Sequence, residues 1–430
     1  MKKNNPSWQK VRLGDAVVKK GSVSGPFGSN IHSRFFTSKG VPVIRGNNLS
    51  LGVPGKRYID DDYLFLDEKK ADELSNSEAL PDDIVLTARG TIGQSGIIPK
   101  KSRYPRYILS ANQLRFRIDR NKYDPTFVYY WLSSKPMIKM MQNISSNVGV
   151  PNMNLATARE LILINPSLEI QSRIATILSA FDDKIELNNK INSTLEKMAQ
   201  AIFKEWFVKL RFPGHEKVEF VDSELGKIPK GWEVSQLKDV VKLNKGLSYK
   251  SSEIKDNSMG VPMVNLKCFL RGGGFKSDGI KYYTGEYKKQ HIVKPGQLII
   301  AMTDLTPTRE VVGRPALIPD IVNGDIIISL DVISVEVESI YYEYLYFLMK
   351  RPEFGELMAN SASGTTVAHL QKSSIENYQF ILPTGGVIRK FHELASPMFT
   401  KKNMLSRENK NLSKLRDLLL PKLMKGEIRI

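Results

Sequence analysis

The stretch Leu161-Ile162-Leu163-Ile164-Asn165-Pro166-Ser167-Leu168 is an apolar run stopped by a proline, and a long helical pattern begins directly behind it. Pro383, 217 residues further on, ends the run Phe380-Ile381-Leu382 in the same way. Other landmarks recur in the same order: Val41-Pro42-Val43-Ile44 is answered by Val261-Pro262-Met263-Val264, Pro81-Asp82-Asp83-Ile84-Val85-Leu86 by Pro295-Gly296-Gln297-Leu298-Ile299-Ile300, and Trp8 by Trp232. The offsets drift, which places insertions in loops, and the side chains between landmarks mostly differ. The repeat is far longer than a solenoid unit, so the chain reads as two tandem pseudo-symmetric copies of one plan, each able to bury its own core. A duplicated scaffold with unlike surfaces suits the reading of two different things.

Behind Pro166, Ile174, Phe181, Asn188, Leu195 and Ile202 fall every seven residues, with Ile177, Ile191 and Met198 on a neighbouring row. Carried forward by 217, the register gives Phe391, Met398, Leu405, Leu412 and Leu419, with Leu394 and Leu415 beside them. Two such heptad stripes predict helices that pair as an antiparallel coiled coil, interrupted by Lys401 and Glu408 and kinked at Pro397. Asn188 in the stripe either fixes register as a buried amide or is an exposed break. Ahead of each stripe, short β-rich runs alternate with turn clusters such as Gly25-Pro26-Phe27-Gly28-Ser29-Asn30, which predicts an α/β (α+β) domain. Inside the first domain, Phe127, Tyr130, Trp131, Met137 and Met141 recur at helical spacing. A helix is therefore expected from about 125 to 141, with Asp124 as cap and Pro125 in its first turn. Expected boundaries are 1–165 for the first domain, 166–211 for its helix, 212–231 for a non-helical linker, 232–383 for the second domain and 384–430 for the second helix.

Lysine and arginine number 63 against 45 acidic residues, a net charge of +18, and more than half of the excess lies outside the two helical stretches. Such a field attracts a polyanion, and nucleic acid is the expected partner. The lone Cys268 excludes an internal disulfide and any cysteine-rich zinc module. No apolar run approaches the roughly 20 residues that span a bilayer, and the polar start lacks a signal-peptide core, so a cytoplasmic protein without a membrane partner is expected.

The junction Ile202-Phe203-Lys204-Glu205-Trp206-Phe207-Val208 is followed by Asp222-Ser223-Glu224-Leu225-Gly226-Lys227-Ile228-Pro229-Lys230-Gly231-Trp232-Glu233-Val234. Together with the tail Leu418-Leu419-Leu420-Pro421-Lys422-Leu423-Met424-Lys425-Gly426-Glu427-Ile428, it resembles the specificity subunits of type I restriction-modification systems. The domain plan matches over the whole chain; the motifs are specific at the linker and C-terminus and weak inside the domains. Two places depart from the pattern: Leu168-Glu169-Ile170-Gln171 has Ile170 where an acidic residue usually stands, and Gly385-Gly386-Val387-Ile388-Arg389-Lys390-Phe391 departs further. The resemblance implies two target-recognition domains, each reading one half of a split asymmetric DNA sequence. It further implies antiparallel helices that space the domains and dock two methyltransferase subunits, with translocating restriction subunits joining a larger complex.

A helix of about 40 residues is roughly 60 Å long, and with overlap and domain width the reading heads are expected about one turn of DNA apart, roughly 10 base pairs. Arg and Lys pair with guanine, Asn and Gln with adenine, and Thr meets the thymine methyl. Candidate contacts therefore follow the apolar strands. In the first domain these are Arg45, Asn47 and Asn48, Arg89 and Thr91, and Asn147 in a polar loop. In the second they are Asn265 and Lys267, Thr303 and Thr306, Arg309 and Arg314, and Thr365 in the matching loop. Each has a plain structural alternative, such as a turn or a local ion pair.

Catalytic chemistry is not visible. Asn165-Pro166-Ser167-Leu168 lacks the second proline and the aromatic of an amino-methyltransferase site, and Gly272-Gly273-Gly274 lacks the Lys-Ser/Thr of a phosphate loop. His32, His215, His291, His369 and His392 are dispersed, so no catalytic residue, metal site or cofactor is expected. Two rivals stay open: a freestanding DNA-binding regulator and a coiled-coil scaffold that ignores nucleic acid.

Overall fold

The computed structural model describes residues 8–145, 151–255, 259–320, 324–428 and 430. It divides into two compact units, Met1–Asn188 with Asn409–Ile430, and Asn189–Glu408. Each unit thus holds one β-rich domain together with a part of both long helices.

In the first unit an antiparallel sheet runs in the order Val17–Ser24, Gln113–Ile118, Ile84–Thr87, Ser95–Ile97. Beside it, a mixed sheet runs Phe36–Thr37, Leu64–Leu66, Val41–Ile44, Tyr107–Leu109, Glu78–Ala79, with Val43 opposite Ile108 in its parallel pair. The second unit repeats both orders strand for strand. Its antiparallel sheet is Val241–Lys245, Val332–Val337, Leu298–Ala301, Pro315–Leu317. Its mixed sheet is Ile254–Lys255, Lys281–Tyr283, Val261–Val264, Ile326–Ile328, Ile292–Val293, with Met263 opposite Ile327 in parallel. Val41–Ile44, Ile84–Thr87 and Leu298–Ala301 are buried at every position, because helices or a second sheet cover both faces; hence these strands read as continuous apolar runs.

The helix expected at 125–141 is two helices, Pro125–Leu132 and Lys135–Ile144. Asp124 caps the first through Thr126 N and Phe127 N, as the sequence indicates. Pro136 lacks the N–H that a continuous helix would aim at Leu132 O, and Ser133 and Ser134 turn the chain instead. Pro352 divides Tyr342–Lys350 from Pro352–Ser361 in the same way. The linker carries the hairpin Phe220–Ser223 with Gly226–Pro229 and no α-helix.

The long helices are Leu168–Phe203 and Gly385–Met424, of 36 and 40 residues; Pro397 lies inside the second without interrupting it. Gln171 fastens the start of the first: fully buried, it donates to Pro166 O at 2.9 Å and accepts from Asp124 N at 2.9 Å. Along the first helix the row beginning at Ile174 is inward, with Ile174 and Asn188 buried and Phe181, Leu195 and Ile202 half-buried. On the second, Phe391 and Leu405 are buried and Met398, Leu412 and Leu419 half-buried. The companion row agrees with expectation only in part. Ile177 and Ile191 are half-buried, but Met198, Leu394 and Leu415 are exposed, and the more deeply buried row stands four residues on rather than three: Leu178, Ile185 and Ala199, then Ala395, Arg416 and Leu423.

Polar pairing accounts for the choice of row. In the first unit Arg416, 1% exposed, lies with its Nε 3.5 Å from the fully buried Asp182, and Asn188 Nδ2 donates to Asn409 Oδ1 at 2.8 Å. In the second unit Asn192 donates to Ser406, and Glu196 accepts from Lys402. Within each unit the partner's number falls as the first helix's number rises, so the contacting segments run antiparallel. The row three residues on would place Lys401 and Glu408 inward; the row four residues on places Lys402, Asn409 and Arg416, each of which meets a polar partner. A buried charge tolerates a seam only where its counterpart stands opposite.

Asp182 also accepts from Gly55 N at 2.8 Å and Tyr130 Oη at 2.7 Å, while Arg416 Nη1 donates to Gly52 O at 2.9 Å. This network ties both long helices to a domain loop and to the short helix Pro125–Leu132. Replacing Arg416 by Ala leaves the Asp182 carboxylate buried without its cation, and an unfolding cost of about 3–5 kcal/mol is expected in denaturant titration; a change within measurement error would remove the pair from its anchoring role.

Glu196 accepts from Tyr346 Oη at 2.7 Å and from Lys350 as well as Lys402. Burial works to raise its pKa, but Lys402 and Lys350 outweigh it and hold the carboxyl at about 2, against an ordinary value of 4.5. The folded value lies below the unfolded one, so this stabilisation is complete above about pH 4.5 and disappears as pH falls toward 2. Glu196→Gln is expected to be less stable than the parent at neutral pH, by on the order of 2–3 kcal/mol. The gap should close over that acid window in unfolding followed by circular dichroism; a gap independent of pH would refute the assignment.

Candidate nucleic-acid interface

Strand direction gathers three loops at one end of the sheets in each unit. In the first, Gly25 N donates to Gln113 O at 2.8 Å, Ser110 N to Ile44 O at 2.9 Å and Ala88 N to Asn112 O at 2.7 Å. The ends of Val17–Ser24, Val41–Ile44 and Ile84–Thr87 therefore all meet the turn at 110–113, and loops 25–30, 45–48 and 88–93 leave from there. In the second unit, Gly246 N donates to Val332 O, Ser329 N to Val264 O at 2.9 Å and Met302 N to Asp331 O at 2.7 Å. Loops 246–250, 265–268 and 302–313 leave around the turn at 329–331. Loops at the carboxyl ends of strands can vary without disturbing the sheets that aim them.

In the first unit Asn47, Arg89 and Thr91 are exposed and Arg45 is half-buried. Arg45 and Asn47 converge on Asp62: Arg45 Nη2 donates to Asp62 O at 2.7 Å, and Asn47 Nδ2 to its carboxylate at 2.6 Å. Asn48 is fully buried, with its amide donating to Ile59 O and Asp61 O and its Oδ1 accepting from Arg45 N. That side chain is spent on shaping the loop and offers nothing to solvent. Gly90 and Gly93 both have positive φ, and a Cβ at 93 would stand 2.8 Å from Ile138, so that glycine lets the loop lie against the helix behind it. Asn147 lies outside the described residues; the nearby chain returns through Met153, whose N–H donates to Ala88 O at 2.9 Å.

In the second unit Lys267 and Thr365 are exposed. Asn265 is buried and donates to Gly279 O at 2.8 Å, and Thr303 is buried and donates to Asp331 at 3.0 Å, so both are structural. Thr306 is half-buried, its hydroxyl accepting from Glu310 N at 3.0 Å. Asp304 organises the loop, accepting from Thr306 N, Val311 N and Val312 N at 2.6–2.8 Å. Burial acts to raise its pKa, yet these donors hold it below the usual carboxylate range. Arg309 sits at positive φ and donates to Ala359 O and Ala362 O, each at 2.9 Å, and to Gly364 O at 3.2 Å, so it fixes the loop that presents Thr365. Arg314 is half-buried against Gly355 and borders an open depression with Arg309 and Arg271, the last paired with Glu310 at 3.2 Å.

The sequence singled out neither Asp62, Asp304 nor Arg271. Asp304 lies between the candidates Thr303 and Thr306, but nothing in its spacing announces three backbone donors; Asp62 and Arg271 become relevant only when the fold brings them to the loops. Among the described residues no group of three metal-capable side chains occurs, and no helix is long and apolar enough to cross a membrane.

Residues 7–197 and 229–386 match the type I restriction modification DNA specificity domain. The chain is 32% identical over 388 residues to the type I restriction enzyme MjaIX specificity subunit of Methanocaldococcus jannaschii, covering 87% of this chain and 84% of that one. It is 25% identical over 427 residues to the HindI specificity subunit of Haemophilus influenzae, covering 83% and 90%. Its fold resembles the crystal structure of a type I restriction-modification S subunit from M. genitalium, with a TM-score of 0.57, 16% identity, and 98% and 97% of the two chains covered.

Proposed function

The chain belongs to the type I restriction-modification DNA specificity family, and from that premise we propose that each unit reads one half of a split, asymmetric target in double-stranded DNA. The repeated loop cluster supports this reading most directly. One scaffold aims two sets of loops with different chemistry, Arg45, Asn47, Arg89 and Thr91 in one unit and Lys267, Thr306, Arg309, Arg314 and Thr365 in the other. Unlike side chains on like supports are what an asymmetric target requires, and a net charge of +18 favours a phosphate backbone. Asn48, Asn265 and Thr303 serve by holding their loops in shape.

In this reading the long helices set the gap between half-sites and dock two methyltransferase subunits, with restriction subunits joining in the cytoplasm. The chain itself contributes no catalytic group. Reconstitution with its methyltransferase subunits is expected to yield a stable complex that methylates adenines in a bipartite site. Lengthening both helices by one matched heptad should widen the unspecified gap and leave the half-site sequences alone. Binding of DNA by the chain without any methylating complex would favour a regulator, and no DNA binding in either form would favour a scaffold.

Asp62 holds Arg45 and Asn47 and places a negative charge at the loop end, so it restrains non-specific affinity. Asp62→Ala should tighten binding to random duplex several-fold and steepen the salt dependence by about one unit in log K against log salt, as one further phosphate contact does. An unchanged slope in anisotropy titrations would place loop 45–48 away from DNA.

A further inference from the structure

We propose that Phe27 is a wedge that enters the duplex between neighbouring base pairs beside the half-site read by the first unit. The inference rests on the DNA-reading role and adds a residue to it that no base-recognition code supplies. Phe27 is 84% exposed, the highest value among the exposed large apolar side chains, and no ring or cation stacks on it among the described residues. Nearby Phe35, by contrast, is covered by Arg34 at 4.8 Å and Lys70 at 4.4 Å.

The loop that carries Phe27 is built rather than slack. Gly25 N donates to Gln113 O at 2.8 Å, and a Cβ at Gly25 would stand 1.8 Å from Ser110 O, so the chain leaves hard against the turn where the other loops gather. Pro26 fixes the next φ. Asn30 N closes back on Phe27 O at 2.8 Å and Ile31 N on Gly28 O at 3.3 Å. Ile31 is then buried with Val41, Val43, Leu66 and Ile108, which anchors the far end.

The second unit supplies an internal control. Gly246 matches Gly25, each pressed against the carbonyl of a serine, Ser329 and Ser110. Leu247, the very next residue, is already buried with Met263, Tyr283 and Ile327, and Tyr249 packs against the same cluster. From that glycine to the next strand the first unit takes 11 residues, to Phe36, and the second 8, to Ile254, so the first unit's loop is three residues longer, and its residues 27–30 are exposed. Asn30, His32, Ser33 and Arg34 are exposed around it and suit phosphate and sugar contacts on either side of an inserted ring. Apolar side chains on such loops unstack a base step and bend the duplex, and flexible pyrimidine–purine steps accept them best.

The test uses the full chain assembled with its methyltransferase subunits and duplexes carrying 2-aminopurine at single positions across the methylated site. The parent complex should brighten the probe at a step beside one half-site, in addition to any signal from the flipped target base. Phe27→Ala should abolish the first signal, keep the second and weaken specific binding by about tenfold, while Phe27→Leu keeps part of both. An Ala variant with the parent's affinity and probe profile overturns the wedge and leaves the DNA-reading role intact. A parent complex that binds no split site brings down the DNA-reading role and the wedge together.

Discussion

A guanidinium shut away from water has to meet a carboxylate, and Arg416 with Asp182 makes that requirement the organising constraint of the first unit. Hydrophobic seams alone are forgiving: a helix can slide by a turn and still bury leucine against isoleucine. A buried charge cannot slide, because every shifted register strands it. Asp182 is held simultaneously by Gly55 N and Tyr130 Oη, so the register of the helices is also the position of a domain loop and of a short helix. Glu196 does the same in the second unit, joining Lys402 of one long helix to Lys350 and Tyr346 of the short helix beside it. Packing of helix against domain and of helix against helix is thereby one constraint in each unit.

The second consequence of the architecture is the aiming of loops. A parallel pair in each mixed sheet forces two strands to finish at the same end, Val41–Ile44 with Tyr107–Leu109 and Val261–Val264 with Ile326–Ile328. The antiparallel sheet adds a third exit through Ala88 and through Met302, each bonded to the same turn. The exposed side chains on those loops are free to diverge, because the pairing within these two sheets does not depend on them, whereas Asn48, Asn265 and Asp304 are tied to holding the loops.

Much of this was legible in sequence because it rests on local pattern. The duplication, the continuous apolar strands and the long helices follow from spacing that a reader of residues can count. The break after Leu132 was equally local, and Pro136 was the signal that outranked the helical spacing of Met137 and Met141. What spacing could not decide was which row beside the Ile174 stripe turns inward. Ile177, Ile191 and Met198 are the more apolar choice, yet the first two are only half-buried and the third is exposed, because Arg416, Asn409 and Lys402 need partners more than 200 positions away in sequence. The loop residues were hidden for the same reason: Asn48 and Asn265 carry base-reading chemistry, but their amides close loops on backbone carbonyls 11 and 14 positions away.

The two units solve one problem, holding a long loop still at the end of a sheet, with different chemistry. Gly93 and Gly313 stand at the same place, each at positive φ and each pressed against the second short helix, at Ile138 and Met358. Between the strand end and that glycine the first unit needs only the short loop 88–93, whereas the second spans 302–313 and requires an internal brace. Asp304 is that brace, its carboxylate collecting three backbone N–H groups that would otherwise point into the loop unsatisfied. Conversely the first unit has the longer connection from Gly25 to its next strand, whereas in the second a buried residue, Leu247, follows Gly246 directly. Length and bracing have therefore shifted between loop positions while both sheets kept their order. Divergence of that kind is open to a duplicated domain whose register is fixed elsewhere, by charges buried along its helices.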